Sequence, residues 1–260
     1  MLPFRPSFAA VVSALAFGAA GAGAQDLGAR IAAVRDGTVR FEFAAAEGVC
    51  GNGRGNIQVH RPGDRRRTGQ GGEWVEECEP GPVRVAVDRV AGRVTAVRAY
   101  VGGRWRGAAE RDLGPVAPAE ASDWLLGVAE SGRGSVAKDA IFPATIAEGV
   151  HPWRRLLALA KDQARPREVR SQAVFWVGQE AADAATRGLQ EVVDADGDQE
   201  VRKSAVFALS QRPKDESVPS LIRIARTHRD PEIRRTAIFW LGQSGDPRAV
   251  AYFEEVLVSR

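Results

Sequence analysis

Two periods of hydrophobic and polar positions divide the chain. From residue 25 to about 115 apolar residues return at every second position, and from 122 onward they return every three or four. A period of two puts alternate side chains on opposite faces of a strand, whereas the longer period lines one face of a helix. "TVRFEFA" (38–44) alternates Val39, Phe41 and Phe43 with Arg40 and Glu42, and predicts a half-buried strand. "PVRVAVDRVAGRVTAVRAYV" (82–101) alternates from Val83, breaks at Ala91-Gly92 and resumes through Val101, the pattern of a hairpin. Between them lies a Gly- and Arg-rich stretch with one short strand expected at Ile57 to His60. The first unit expected is therefore a small antiparallel β domain over residues 25–115. "LGPVAPAEAS" (113–122), with two prolines and small residues, marks a boundary whose linker spans 116–121.

Beyond it the pattern predicts helix upon helix, the first opening at "SDWLLGVAE" with Ser122 or Asp123 as its cap. Laid over itself at an interval of 32, the chain aligns "EVRSQAVFWVG" (168–178), "EVRKSAVFALS" (200–210) and "EIRRTAIFWLG" (232–242). The preceding helices align as well, with Leu157, Leu189, Leu221 and Phe253 in one column and Ala160, Val192, Ile224 and Val256 in another. With one residue inserted, Ala140-Ile141-Phe142 joins the Ala-Val-Phe column. Repeats fall at about 122–149, 150–182, 183–214 and 215–247, with a half repeat at 248–260. A two-helix unit of this length cannot bury its apolar faces alone, so the units must stack into an α-solenoid. The fold class expected is α+β: two domains, with a solenoid over 122–260.

"DPEIRRTAIFWLGQSGDPRAV" (230–250) resembles the HEAT-like repeat of the phycobilisome-lyase type, in which D-P-E-V-R-x-x-A opens the second helix and L-G-x-x-G-D-P closes it. The resemblance covers about residues 121–260. It implies a helical solenoid, and proteins built on it include lyases, hydroxylases and, most often, binding scaffolds. Arg170, Arg202 and Arg234 recur two residues after Glu168, Glu200 and Glu232. The resemblance implies that they join a polar ladder between repeats; contact with a ligand is the alternative. The hydroxylases carry repeated His-Glu pairs that hold two irons, but here His151 precedes Pro152 and His228 precedes Arg229. No metal or cofactor is therefore expected.

Helical angles separate the two aromatic residues of the repeated phrase. Val201, Ala205, Ala208 and Leu209 cluster within about 100° as the core stripe, and Phe207 lies about 150° from its middle. The column Phe142, Phe175, Phe207 and Phe239 is thus expected on the inner surface, and the column Trp176, Ala208, Trp240 between helix layers. A buried Phe side chain is worth about 1.5–3 kcal/mol, so such a column calls for a cover. A protein or peptide partner in the groove, the chain's own β domain or a second copy, and tight solenoid curvature are the readings of that cover. Asp198 and Asp230 stand where an N-cap is needed, Pro166 replaces it in the second repeat, and Gly178 and Gly242 close their helices, with Ser210 in that place in the third repeat.

Composition changes this picture in two places. The 36 basic residues, 32 of them Arg, against 33 acidic ones leave +3. By region the balance is +2 over 25–120 and zero over 121–260, which argues against a nucleic-acid partner. Arg5, the apolar stretch Phe8 to Ala20 and Ala22-Gly23-Ala24 form a signal peptide over 1–24, too short for a membrane span. Periplasmic or secreted localisation is expected, with no other segment able to span. Cys50 and Cys78, the only two cysteines, are expected as a disulfide in that oxidising space, worth about 3–4 kcal/mol.

No nucleophile and base come together in sequence. "GNGRGN" (51–56) and "SGRGSVAK" (131–138) lack the strand, helix and Lys-Ser/Thr of a phosphate loop. "DRRR" (64–67) reads as solvated, and the acids from Glu191 to Glu200 lack calcium-loop spacing. The reading is a non-enzymatic interaction scaffold whose contact residues are Phe142, Phe175, Phe207 and Phe239 flanked by Arg170, Arg202 and Arg234. Two alternatives stand beside it. One is an enzyme or carbohydrate-binding protein with its site on the β domain, at Trp74, Trp105, His60 and the glycine loop; the other is a lyase- or hydroxylase-type activity.

Overall fold

The computed structural model describes residues 26–60, 78–105, 108–179 and 183–258. The expected signal peptide, the run Asp64 to Arg67 and Trp74 lie outside them. A short helix, α1 (Leu27–Ala32), precedes the strands β1 (Gly37–Phe43), β2 (Val49–Gly51), β3 (Ile57–Val59), β4 (Glu79–Pro80), β5 (Val83–Val90), β6 (Arg93–Tyr100) and β7 (Arg111–Pro115). A four-stranded sheet runs β6-β5-β1-β7, antiparallel except where β7 lies parallel to β1. The hairpin turn is the expected Ala91-Gly92, with φ of 51° and 76°. Both residues sit in the left-handed region that a two-residue turn demands, and the N–H of Ala91 donates to Oδ1 of Asp36 at 2.6 Å. A second sheet, β3-β2-β4, is small, and the disulfide between Cys50 of β2 and Cys78 closes it.

Apart from Ala86 and Val90, the apolar side chains of β1 and β5 face one way. Val39, Phe41, Phe43, Val83, Val85 and Val87 are buried beneath Leu27 and Ile31 of α1 and beneath α2 (Pro118–Ser131). The Trp124 indole meets the Phe41 ring edge-on at 5.8 Å. Residues 116–121 are therefore not a free linker. Pro118 stands in the first turn of α2, where a missing N–H costs nothing, and Ala121 and Ser122 are already buried. Ser122 does not cap the helix either, because its hydroxyl donates to the carbonyl of Ala144 at 2.8 Å. Backbone bonds join the units further on, from Ala46 N–H to Ile146 O (2.8 Å) and from Glu148 N–H to Ala44 O (2.9 Å). The β unit and the helices share one continuous apolar core.

The helices pair as the 32-residue interval requires: α2 with α3 (Gly134–Thr145), α4 (Trp153–Lys161) with α5 (Arg167–Gly178), α6 (Asp183–Ala195) with α7 (Gln199–Ser210), and α8 (Lys214–Thr227) with α9 (Pro231–Gln243). One more helix, α10 (Pro247–Val258), packs on α8 and α9. The second helices α3, α5, α7 and α9 stack on one another in one layer and the first helices in another. Asp198 accepts from the N–H groups of Glu200 (2.9 Å) and Val201 (3.4 Å), and Asp230 from that of Glu232 (2.9 Å), so both cap as expected. α5, with Pro166 before it, has no side-chain cap.

Candidate partner-binding surface

The second helices present their aromatic residues on one face, and the tryptophans are on it too. Trp176 is not packed between helix layers, as its helical angle suggests; its indole stacks on the Phe142 ring one repeat earlier, 5.0 Å between centroids and 20° between planes. Trp240 also meets the Phe207 ring of the preceding repeat, at 4.9 Å, but tilted by 50°. The angle of a single helix cannot show this, because the room for an indole is set by the neighbouring helix. At the middle member of the column, Ala208, the room is absent. A Cβ on Gly178 of α5 would stand 2.8 Å from Cβ of Ala208, so α5 and α7 cross too closely for anything larger than Ala there. Gly242 has open space around it, so no such contact demands its glycine.

The rings therefore form one unbroken series. Phe142 stacks on Trp176, Trp176 meets Phe175 edge-on at 5.0 Å, Phe175 lies parallel to Phe207 at 6.3 Å, Phe207 touches Trp240, and Trp240 meets Phe239 edge-on at 5.0 Å. Each spacing lies in the range where aromatic pairs attract beyond their buried area. The two ends differ in what stands over them. Ile57 and Val59 of β3 face Phe142, Phe175 and Trp176 across an open cleft of about 550 Å³. In the last repeat Phe239 is 57% exposed and Ile238 40%. Inside the cleft the Trp176 Nε1 atom is buried and has no hydrogen-bond partner among the described residues.

The three arginines stand beside this series as rungs of a ladder. Arg170 is buried, donates from Nε to Ala160 O at 3.1 Å and pairs with Asp196. Arg202 donates to Asp196 O (2.9 Å) and pairs with Asp230 (2.8 Å), and Arg234 donates to His228 O (2.7 Å). Burial pushes the Arg170 guanidinium below its ordinary value, although the Asp198 and Asp162 carboxylates act in the opposite sense. Arg170 and Arg202 thus tie their repeats to the next one, whereas the bonds of Arg234 stay within its own. Arg167 also reaches Asp198, at 2.6 Å.

Of the β-domain candidates, His60 and Trp105 stand apart. His60 lies next to the disulfide, with a ring nitrogen within 4.8 Å of both sulfurs. Those sulfurs are bonded to each other, which leaves the imidazole as the only ligand of that trio. Trp105 lies under the guanidinium of Arg40, at 4.5 Å, beside the glycine turn that joins β2 and β3. No described helix is long and apolar enough to cross a membrane.

Residues 186–260 match the family model of HEAT repeats. The match spans most of α6 through α10, and the earlier pairs α2–α3 and α4–α5 continue the same stacking. No curated protein matches the chain.

Proposed function

We propose that this HEAT-repeat protein is a scaffold, exported from the cytoplasm, that holds a partner protein along its second-helix face. HEAT repeats commonly serve protein interaction, since stacked helix pairs offer an extended surface. The observation that carries the reading is the aromatic series from Phe142 to Phe239, continuous over four repeats and exposed in its last one. Leaving Phe239 and Ile238 in water forgoes about 1–2 kcal/mol apiece, which a bound apolar segment recovers. The partner contributes a helical or extended stretch whose apolar side chains lie on the rings. Its near end enters the cleft between β3 and α5. Phe142, Phe175, Phe207 and Phe239 are the contacts, while Arg170 and Arg202 hold the repeats in register beneath them and Arg234 braces the turn before its own helix. Export rests on the leader pattern of residues 1–24, and the Cys50–Cys78 disulfide suits that compartment.

The test is a Phe207→Ser, Phe239→Ser double variant compared with the parent in quantitative capture from envelope extract, alongside thermal melting. Loss of one defined protein at an unchanged melting temperature supports the scaffold. An unchanged capture profile with melting lowered by several degrees would make the rings internal packing only.

A further inference from the structure

The outer face of the four-stranded sheet carries a cavity that the scaffold does not use. On that face the strand register sets Glu42, Arg84 and Tyr100 in one row and Arg40, Ala86 and Arg98 in the next. Ala86 is the small member between two arginines, and its size leaves a hollow. Two loops wall it: the β2–β3 turn with Arg54, and the segment after β6 with Arg104 and Trp105. The loops touch through glycines. A Cβ on Gly53 would stand 2.9 Å from Cα of Gly103, and one on Gly103 would stand 3.0 Å from Cα of Gly53. Both have positive φ as well, so the wall admits no other residue without moving. The enclosed volume is about 350 Å³, the lower range of small-molecule sites.

Its charge is one-sided. Five guanidinium groups line it, those of Arg40, Arg54, Arg84, Arg98 and Arg104. Among the described residues, Glu42 stands 3.2 Å from Arg84, and Asp88 accepts from both terminal nitrogens of Arg98. Arg54 and Arg104 are exposed at the mouth, and no carboxylate of the described residues pairs with either. Behind them the wall is flat and aromatic, with Trp105 under Arg40 and Tyr100 edge-on to Trp105 at 5.8 Å. Planar guanidinium groups match phosphate and carboxylate oxygens two at a time. The positive excess is gathered in a hollow of single-ligand size, which suits a small molecule better than a long polyanion.

We propose that this cavity binds a small oxyanion-bearing molecule. Its phosphate or carboxylate group lies between Arg54, Arg104 and Arg98, and its flat apolar body lies against Trp105. The glycine-rich turn that resembles no phosphate loop thus serves an anion by another geometry, as one wall of an arginine pocket.

Titration calorimetry of the full protein at low ionic strength tests this with two probes, inorganic pyrophosphate for the anionic end and 2-naphthoate for anion and ring together. At least one probe is expected to bind, at least tenfold more weakly to an Arg54→Gln, Arg104→Gln variant and also more weakly in 200 mM salt. Trp105→Leu should weaken naphthoate more than pyrophosphate, and the Phe207→Ser, Phe239→Ser protein should bind both as the parent does. Circular dichroism melting checks that each variant folds. Failure of both probes to bind at millimolar concentration, or equal binding by the arginine variant, would overturn the site.

Discussion

The indole of Trp240 lies on the ring of Phe207, 4.9 Å between centroids, although the two residues belong to successive repeats 33 positions apart. Trp176 likewise meets Phe142, 34 positions earlier, there with the rings stacked. Aromatic side chains of these repeats are thus coupled across the seam between second helices. Removing one ring changes the footing of its neighbour.

The coupling makes the two aromatic columns unequal in stability. Trp176→Ala removes a half-buried indole that touches both Phe142 and Phe175, and should cost about 2 kcal/mol. Phe239→Ser, at the open end, should stay within about 0.5 kcal/mol of the parent. Urea titration of the two variants checks the contrast.

Arg170 and Asp196 form a buried ion pair between repeats. Asp196→Ala leaves the guanidinium without its counter-charge and should destabilise by about 3–5 kcal/mol. Arg170→Leu combined with Asp196→Leu should recover a large part of that loss, since an apolar pair of similar volume has no desolvation cost. A double-mutant cycle measured in urea shows whether the pair interacts in this way.

Acid should loosen the solenoid through its capping aspartates. The Arg248 side chain and its N–H hold the Asp246 carboxyl down at about 2. Gln199, with the Glu232 N–H and Arg202, lowers Asp230. Burial alone would raise Asp198, but Arg167 and the N–H groups of Glu200 and Val201 outweigh it. Each is more acidic folded than in the unfolded chain, where Asp titrates near about 3.9. Their contribution is therefore complete above that value and disappears as pH falls toward 2. Melting temperature followed from pH 5 to pH 2 should drop, and Asp246→Asn should flatten the drop.

The disulfide should matter locally. It closes a loop of 28 positions, and the chain-entropy estimate for that length is about 3.5 kcal/mol. Cys50→Ala with Cys78→Ala should lower the melting temperature by about 10 °C. A reductant should have the same effect on the parent and none on the variant.

Much of the fold is written in the sequence because local period and repeat interval carry it. Strand β1, the β5–β6 hairpin with its Ala91-Gly92 turn, the capping aspartates and the register of the helix pairs all stand where the pattern places them. Other features depend on what lies across a contact. Helix α1 has only six residues, too few for a helical period to declare itself. Strand β7 is recognised by the backbone of β1 and has no alternation of its own. Pro118 looks like a breaker until it is seen in the first turn of α2. The angle within one helix points the tryptophans between layers, whereas the helix one repeat away decides where they go. The arginine cavity is hidden for the same reason, since its five arginines are scattered from position 40 to 104 and meet only through strand register and two touching glycine loops.

The central claim is that a partner occupies the open end of the aromatic series. Site-specific photo-crosslinking tests it most directly, with a photoreactive amino acid placed at Ile238 on the second-helix face, or at Arg187 on the first-helix layer, in the exported protein in its own cell envelope. The account predicts one defined protein adduct from position 238, lost when Phe207 is changed to Ser, and no such adduct from position 187. Equal adducts from both positions, or none from 238 in a stably folded protein, would contradict it.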